Sequence, residues 1–127
     1  MKRSLVLIVV SLCAAACSGS NSSTTPGVRY DRYVITEQEI GETTAATAYE
    51  LIQMKRPEFF RPQVPRVSGG VAIPLVYVNG NKYGIPDDLL KLSADVIKEV
   101  RYLKPVDANL VYGIGHPGGA ILVTTKR

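Results

Sequence analysis

Apolar and polar positions change their period several times along this chain, and each change marks an element. Residues 5–12 are an apolar run interrupted only by Ser11, whereas residues 17–27 are, apart from Cys17 and Pro26, Ser, Thr, Asn and Gly with no large apolar side chain. Patterning that can build a core starts near Tyr30. Tyr33-Val34-Ile35 reads as a short strand running into Thr36-Glu37-Gln38-Glu39. Thr36 and Glu39 have capping-box spacing, and Ile35 and Ile40 occupy the flanking staple positions. Gly41 stops that turn. Ala45, Ala48, Tyr49 and Ile52 then form a helical stripe with Leu51 on its flank, capped by Thr43 or Thr44 and ended by Pro57.

Residues 62–70 are punctuated by Pro and Gly and read as irregular. Pro74-Leu75-Val76-Tyr77-Val78 is a strand, and Asn79-Gly80 supplies the two positive φ angles of a two-residue hairpin turn. Residues 81–83 are the return arm, and residues 87–92 continue as a loop or turn. Ser93 is placed to cap a short turn through Ile97, after which residues 98–103 straighten into an alternating strand. Pro105 suits the first position of a helix, Asp107 its positive end, and Gly113 its stop. Residues 120–125 are apolar on both alternating faces, so they predict an interior strand covered on two sides. The expected fold is a compact α/β (α+β) domain, with about four strands in a mixed sheet and two or three short helices.

The N-terminal run changes the picture of where this domain works. Lys2 and Arg3, the apolar segment and Ala14-Ala15-Ala16 have the order of a secretory signal. A spanning helix needs roughly 20 apolar residues, more than this run offers. Ala14-Ala15-Ala16-Cys17 resembles a bacterial lipobox, with Ala14 where Leu is commoner. That resemblance implies lipid attachment at Cys17, and Ser18 after it implies the outer rather than the inner membrane. Residues 1–16 are then signal, 17–29 a flexible tether and 30–127 the domain. Ten residues of such tether span roughly 16–19 Å.

Composition follows from this division. The chain has 127 residues and a formal charge of +4, but losing Lys2 and Arg3 leaves 13 bases against 11 acids. The basicity is partly signal peptide, and nucleic acid is not implied as a partner. Cys13 leaves with the signal and Cys17 takes lipid, so no disulfide is expected in the domain.

Four constellations carry candidate chemistry. Gly113-Ile114-Gly115-His116-Pro117-Gly118 has the letters of a dinucleotide loop, but a helix precedes it, a strand follows it, and Pro117 removes an amide. A tight helix-to-strand turn, continued by Gly119, is the better reading. His116 is the sole histidine, lacks a metal-site partner, and is expected to be a solvent-exposed loop residue. Lys55, Arg56, Arg61 and Arg66 interleave with Phe59 and Phe60, reading as a solvated helix end with both rings in the core. Asp87, Asp88, Asp95 and Glu99 form no convincing acid–base pair. No cofactor, metal site or catalytic residue is expected. A partner surface is sought at Phe59, Phe60 and Arg61, and at the turn carrying Tyr112 and His116.

The order of elements in residues 97–126, IKEVRYLKPVDANLVYGIGHPGGAILVTTK, resembles the plug domain of TonB-dependent outer-membrane receptors. In that family a pattern I-E-x-I-E-V-L-K-G…A-x-x-x-Y-G…G-G-V-I-x-I-x-T-K recurs. Pro74-Leu75-Val76-Tyr77-Val78-Asn79-Gly80 is similar to the family's P-L-x-V-I/V-D-G, with Asn79 where Asp is common. The likeness covers roughly residues 35–126 and implies structural turns at Asn79 and Gly80 and at Gly113, Gly115, Gly118 and Gly119. Plugs normally sit inside a large barrel, which 127 residues do not contain, and no TonB box stands out in residues 28–42. The expectation is a non-enzymatic binding or interaction module, lipid-anchored at the periplasmic face of the outer membrane. It would dock an outer-membrane receptor or another envelope protein. The alternative is a small-ligand or cell-wall binder that reuses the plug fold.

Overall fold

The computed structural model describes residues 30–63 and 70–127. The signal segment, Cys17, the tether and Arg66 lie outside them. Strands β1 (Val34–Ile35), β2 (Leu75–Val78), β3 (Asn81–Gly84), β4 (Ile97–Leu103) and β5 (Ala120–Thr125) form one mixed sheet in the order β1-β4-β5-β2-β3. Helices α1 (Glu37–Gly41), α2 (Ala48–Lys55) and α3 (Pro105–Tyr112) accompany it, with 3₁₀ turns at Pro57–Phe60, Pro86–Lys91 and Ala94–Val96. The expected α+β class is therefore found, with one more strand than anticipated.

β5 lies centrally, antiparallel to β4 and parallel to β2. Its alternate residues serve two cores. Ile121 and Val123 face a large cluster with Ile35, Leu51, Ile52, Phe59 and Val100. Ala120 faces a smaller one with Tyr77 and Ala108 of α3, against which Leu122 packs. An all-apolar strand is stable only when both faces are covered, and α1, α2 and α3 divide that work. β4 shifts register against β5 between Ile97 and Glu99. This bulge brings Ile97 onto the face of Val100, three residues on, and both are fully buried.

Local signals place the ends of the elements. Thr36 and Glu39 form the expected capping box at α1, with Ile35 and Ile40 buried beside it. Asn79 and Gly80 turn the β2–β3 hairpin with φ of 50° and 83°. Asn79 also binds the end of β5, its side chain donating to Thr125 Oγ1 at 2.8 Å and accepting from the Thr125 amide at 3.0 Å.

Two caps differ from expectation. The α2 cap is Thr47, whose hydroxyl accepts from the Glu50 amide at 3.2 Å, not Thr43 or Thr44. The reason is tertiary: Ala46 and Ala48 exchange backbone hydrogen bonds with Ala94 and Leu92, holding the chain extended up to Thr47. That same bridge occupies Ser93, which caps nothing with its side chain.

Arg56 corrects the picture of a solvated helix end. It is 4% exposed. Its guanidinium donates to Glu39 Oε1 at 2.8 Å and to the Lys55 carbonyl at 2.8 Å, and it lies 4.5 Å from the Tyr30 ring centre. The pair staples the end of α2 to the capping box of α1. Burial pushes the Glu39 carboxyl up, but the Thr36 amide and the Arg56 guanidinium outweigh it and hold it below the ordinary 4.5.

Two predictions follow from these contacts. The stabilisation from a lowered Glu39 is complete above pH 4.5 and is lost as pH falls through its lower folded value. Urea midpoints measured between pH 7 and pH 3 should therefore drop less steeply in Glu39→Gln than in the native protein; equal slopes would remove Glu39 from the acid response. Gly119 has φ +81°, and a Cβ there would meet the Leu103 carbonyl oxygen and sit 2.8 Å from the Tyr102 hydroxyl. Gly119→Val should cost about 1–3 kcal/mol. Gly41→Ala, with open space around its Cβ, should be neutral or slightly stabilising. Calorimetry on the two variants tests the contrast.

Candidate functional site

Pairing of β1 with β4 builds a cleft that no single stretch of sequence contains. Val34 opposes Arg101, and the Tyr102 amide donates to the Tyr33 carbonyl at 2.8 Å. This brings the Tyr33 and Tyr102 rings together, their centres 6.5 Å apart and nearly parallel. The 3₁₀ turn Pro57–Phe60 adds Phe59, stacked on Tyr102 at 5.4 Å. The three rings form a continuous aromatic wall.

Cations rim that wall. Arg32 precedes β1, Arg61 follows the 3₁₀ turn, and Lys104 sits between β4 and Pro105, which opens α3. The Lys104 ammonium lies 4.8 Å and the Arg32 guanidinium 5.4 Å from the Tyr33 ring centre. The open cleft has a volume of about 430 Å³, with Glu58 as the one carboxylate lining it, a size within the usual range for small-molecule sites. Among the described residues, none of the three cations forms an ion pair. Burial, then the neighbouring Tyr33, pushes the Tyr102 phenol above its ordinary value. It stays a neutral donor, binding the Gly118 carbonyl at 3.1 Å.

The other face of the sheet holds a second polar feature. His116 is 5% exposed, not a solvated loop residue. Its Nδ1 lies 2.9 Å from the Gly113 carbonyl oxygen, and its Nε2 lies 2.6 Å from the Tyr77 hydroxyl. A carbonyl can only accept, so in the neutral ring Nδ1 donates to Gly113 and Nε2 accepts from Tyr77. The His116 amide donates to Asn109 Oδ1, which ties the loop back to α3. Tyr112 stacks on Tyr77 at 4.0 Å, and burial followed by the Tyr77 neighbour raises its phenol pKa. The loop is folded around its histidine, with Gly118 against the Ile73–Pro74 backbone and Gly113, Gly115 and Gly119 at positive φ.

The residues sought as one partner surface are thus divided. Phe59 is wholly buried and walls the cleft from below. Phe60 is half-buried and stacks on Tyr49 at 4.7 Å. Arg61 is exposed at the cleft rim, while Tyr112 and His116 pack on the opposite face. Arg32, Tyr33, Tyr102 and Lys104 were not singled out by sequence as site residues. Among the described residues, no group of three or more His, Cys, Asp or Glu is placed to hold a metal ion. No described helix is long and apolar enough to cross a membrane.

One further surface stands out. Val106, Leu110 and Val111 of α3, with Ile114 beyond it, are all strongly exposed, Leu110 at 81%. Val106 and Leu110, one turn apart, lie on the side of α3 away from Ala108 and Tyr112, which pack on the sheet, and Val111 lies on its flank. No protein-family model matches this chain, and no curated protein matches it in sequence. The plug-like reading is carried by the chain's own motifs.

The Tyr77–His116 pair gives a direct test. Tyr77→Phe leaves a buried ring nitrogen without its donor and should cost about 1–2 kcal/mol. Tyr83→Phe, at an exposed position on β3, should change the urea midpoint little. Equal midpoints for the two variants would show that the 2.6 Å contact contributes no stability.

Proposed function

We propose that this protein is an exported, lipid-anchored interaction module with a plug-like fold, working at the periplasmic face of the outer membrane. It carries out no reaction; it docks a receptor-like barrel or another envelope protein. The observation that carries this reading is the outer stripe of α3. Three large apolar side chains of α3, Val106, Leu110 and Val111, and Ile114 just beyond it are held in water, while Ala108 and Tyr112 anchor the helix on the sheet. Large exposed apolar side chains gathered on one element mark interaction sites. The signal-like N-terminus and Cys17 support the location, and the motifs around Asn79-Gly80 and Gly113–Gly119 support the family likeness.

The cleft beneath Tyr33 favours a second reading, a small-ligand binder on the same scaffold. It has the volume of a ligand site and side chains of both apolar and ionic character.

Two measurements in cells test the leading reading. A photo-crosslinking amino acid at Leu110 should give a discrete adduct with an outer-membrane protein, and the same group at Lys82 on the exposed hairpin should not. Adducts at neither position would overturn the docking role. Cys17→Ala should leave the membrane fraction, whereas continued retention would mean that lipid is not the anchor.

A further inference from the structure

We propose that the cleft at the β1–β4 edge binds a small aromatic anion, its phosphate or carboxylate held by Arg61, Arg32 and Lys104 and its ring laid against Tyr33 and Tyr102. The inference deepens the small-ligand reading of this cleft and rests on it.

Charge is the first argument. Three cations surround a space containing one carboxylate, Glu58, and among the described residues none of the three has an ion-pair partner. By contrast, the neighbouring Arg101 is answered by Glu99 at 3.2 Å, and Arg56 by Glu39. The rest of the chain cannot supply the missing charge: residues 1–29 and 64–69 contain no Asp or Glu. Arg32 and Lys104 share the same Tyr33 ring, at 5.4 and 4.8 Å. The ring's quadrupole attracts both, but it does not neutralise them or relieve their mutual repulsion. An anion entering from outside does both.

Shape is the second argument. The Tyr33–Tyr102–Phe59 rings stack in sequence, with interplanar angles of 26° and 21°. This leaves an aromatic wall beside the cations, with Tyr33 and Tyr102 lining the cleft, against which a planar ring can pack. Phe59 is fully buried and Tyr102 is held by its bond to Gly118. The wall is therefore fixed before any ligand arrives, which lowers the ordering cost of binding. A phosphate or carboxylate suits an arginine fork, and Lys104 adds a point charge.

The test uses the full chain, purified in detergent, with amide chemical shifts of Tyr33, Tyr102 and Val106 as the readout. Phenyl phosphate and benzoate are the paired probes; inorganic phosphate supplies the charge alone and benzyl alcohol the ring alone. Binding of at least one ring-bearing anion is expected, and which of the two binds more tightly identifies the head group. Each single-feature probe should bind about tenfold more weakly or worse. Arg61→Gln should weaken the ring-bearing anion by about tenfold, and added salt should weaken it further. Arg61 is exposed and forms no side-chain hydrogen bond among the described residues, so its variant should melt with the native protein; Arg61→Lys should retain part of the affinity. No shift with either anion at millimolar concentration overturns the proposal, as does unchanged affinity in both Arg61→Gln and Lys104→Gln. Equal binding of inorganic phosphate removes the aromatic wall from recognition. Benzyl alcohol binding as tightly as phenyl phosphate overturns the anionic class but leaves the small-ligand reading standing.

Discussion

A strand segment with no polar face imposes its needs on everything around it, and in this protein that segment is Ala120–Val123 of β5. It must have neighbours on both edges and cover on both faces, because neither its backbone nor its side chains are suited to water. β4 and β2 fill the edges. α1 and α2 cover the face of Ile121 and Val123, and α3 covers the face of Ala120. The glycine-rich loop is the approach to this strand. Gly118 lies against the Ile73–Pro74 backbone and Gly119 against Leu103, so the chain enters between β2 and β4 where side chains have no room. The letters of a nucleotide loop thus arise from backbone demands, close packing at Gly118 and positive φ in open space at Gly113 and Gly115.

The cleft is a by-product of how the sheet ends. β1 has two residues and pairs only with β4, leaving Tyr33, just before it, next to Tyr102. The turn Pro57–Phe60 closes one side and the start of α3 another. Each of these pieces has a structural reason to be where it is: Phe59 belongs to the main core, and Pro105 starts a helix with a φ already suited to it. The cations at their margins have no such reason. Arg32, Arg61 and Lys104 stabilise no described carboxylate, which separates them from Arg56, whose guanidinium holds two helices together.

What could be read from sequence was what depends on neighbours in the chain. The capping box at Thr36 and Glu39, the Asn79-Gly80 turn, the Pro105 start and Gly113 end of α3, and the doubly apolar β5 are all local statements, and all are found. Thr47 displaced the expected cap because a bridge to Ser93 fixes the backbone there. Arg56 and His116 were misplaced for the same kind of reason, since Glu39 and Tyr77 reach them from distant elements. One signal was available. A tyrosine inside the buried strand LVYV needs a partner for its hydroxyl, and a sole histidine in a glycine loop is a natural candidate. The cleft had no comparable signal, because Arg32 and Lys104 meet only through β1–β4 pairing.

Helix α3 ties the two proposed surfaces together. Its inner side, Ala108 and Tyr112, fixes it to the sheet, and Asn109 holds the loop that leads to β5. Its first residues, Pro105 and Val106, line the cleft, and Val106 is also the first member of the exposed stripe. A partner seated on the stripe and an anion in the cleft would therefore touch the same side chain. Two ligands that share a contact are thermodynamically linked, and the linkage is reciprocal: whatever factor the anion applies to docking, docking applies to the anion. The sign depends on whether the partner closes over Val106 or displaces it. A helix fixed rigidly on its inner face leaves little movement to absorb either event, so the coupling would act through contact and charge at the cleft mouth, where Lys104 adjoins Val106.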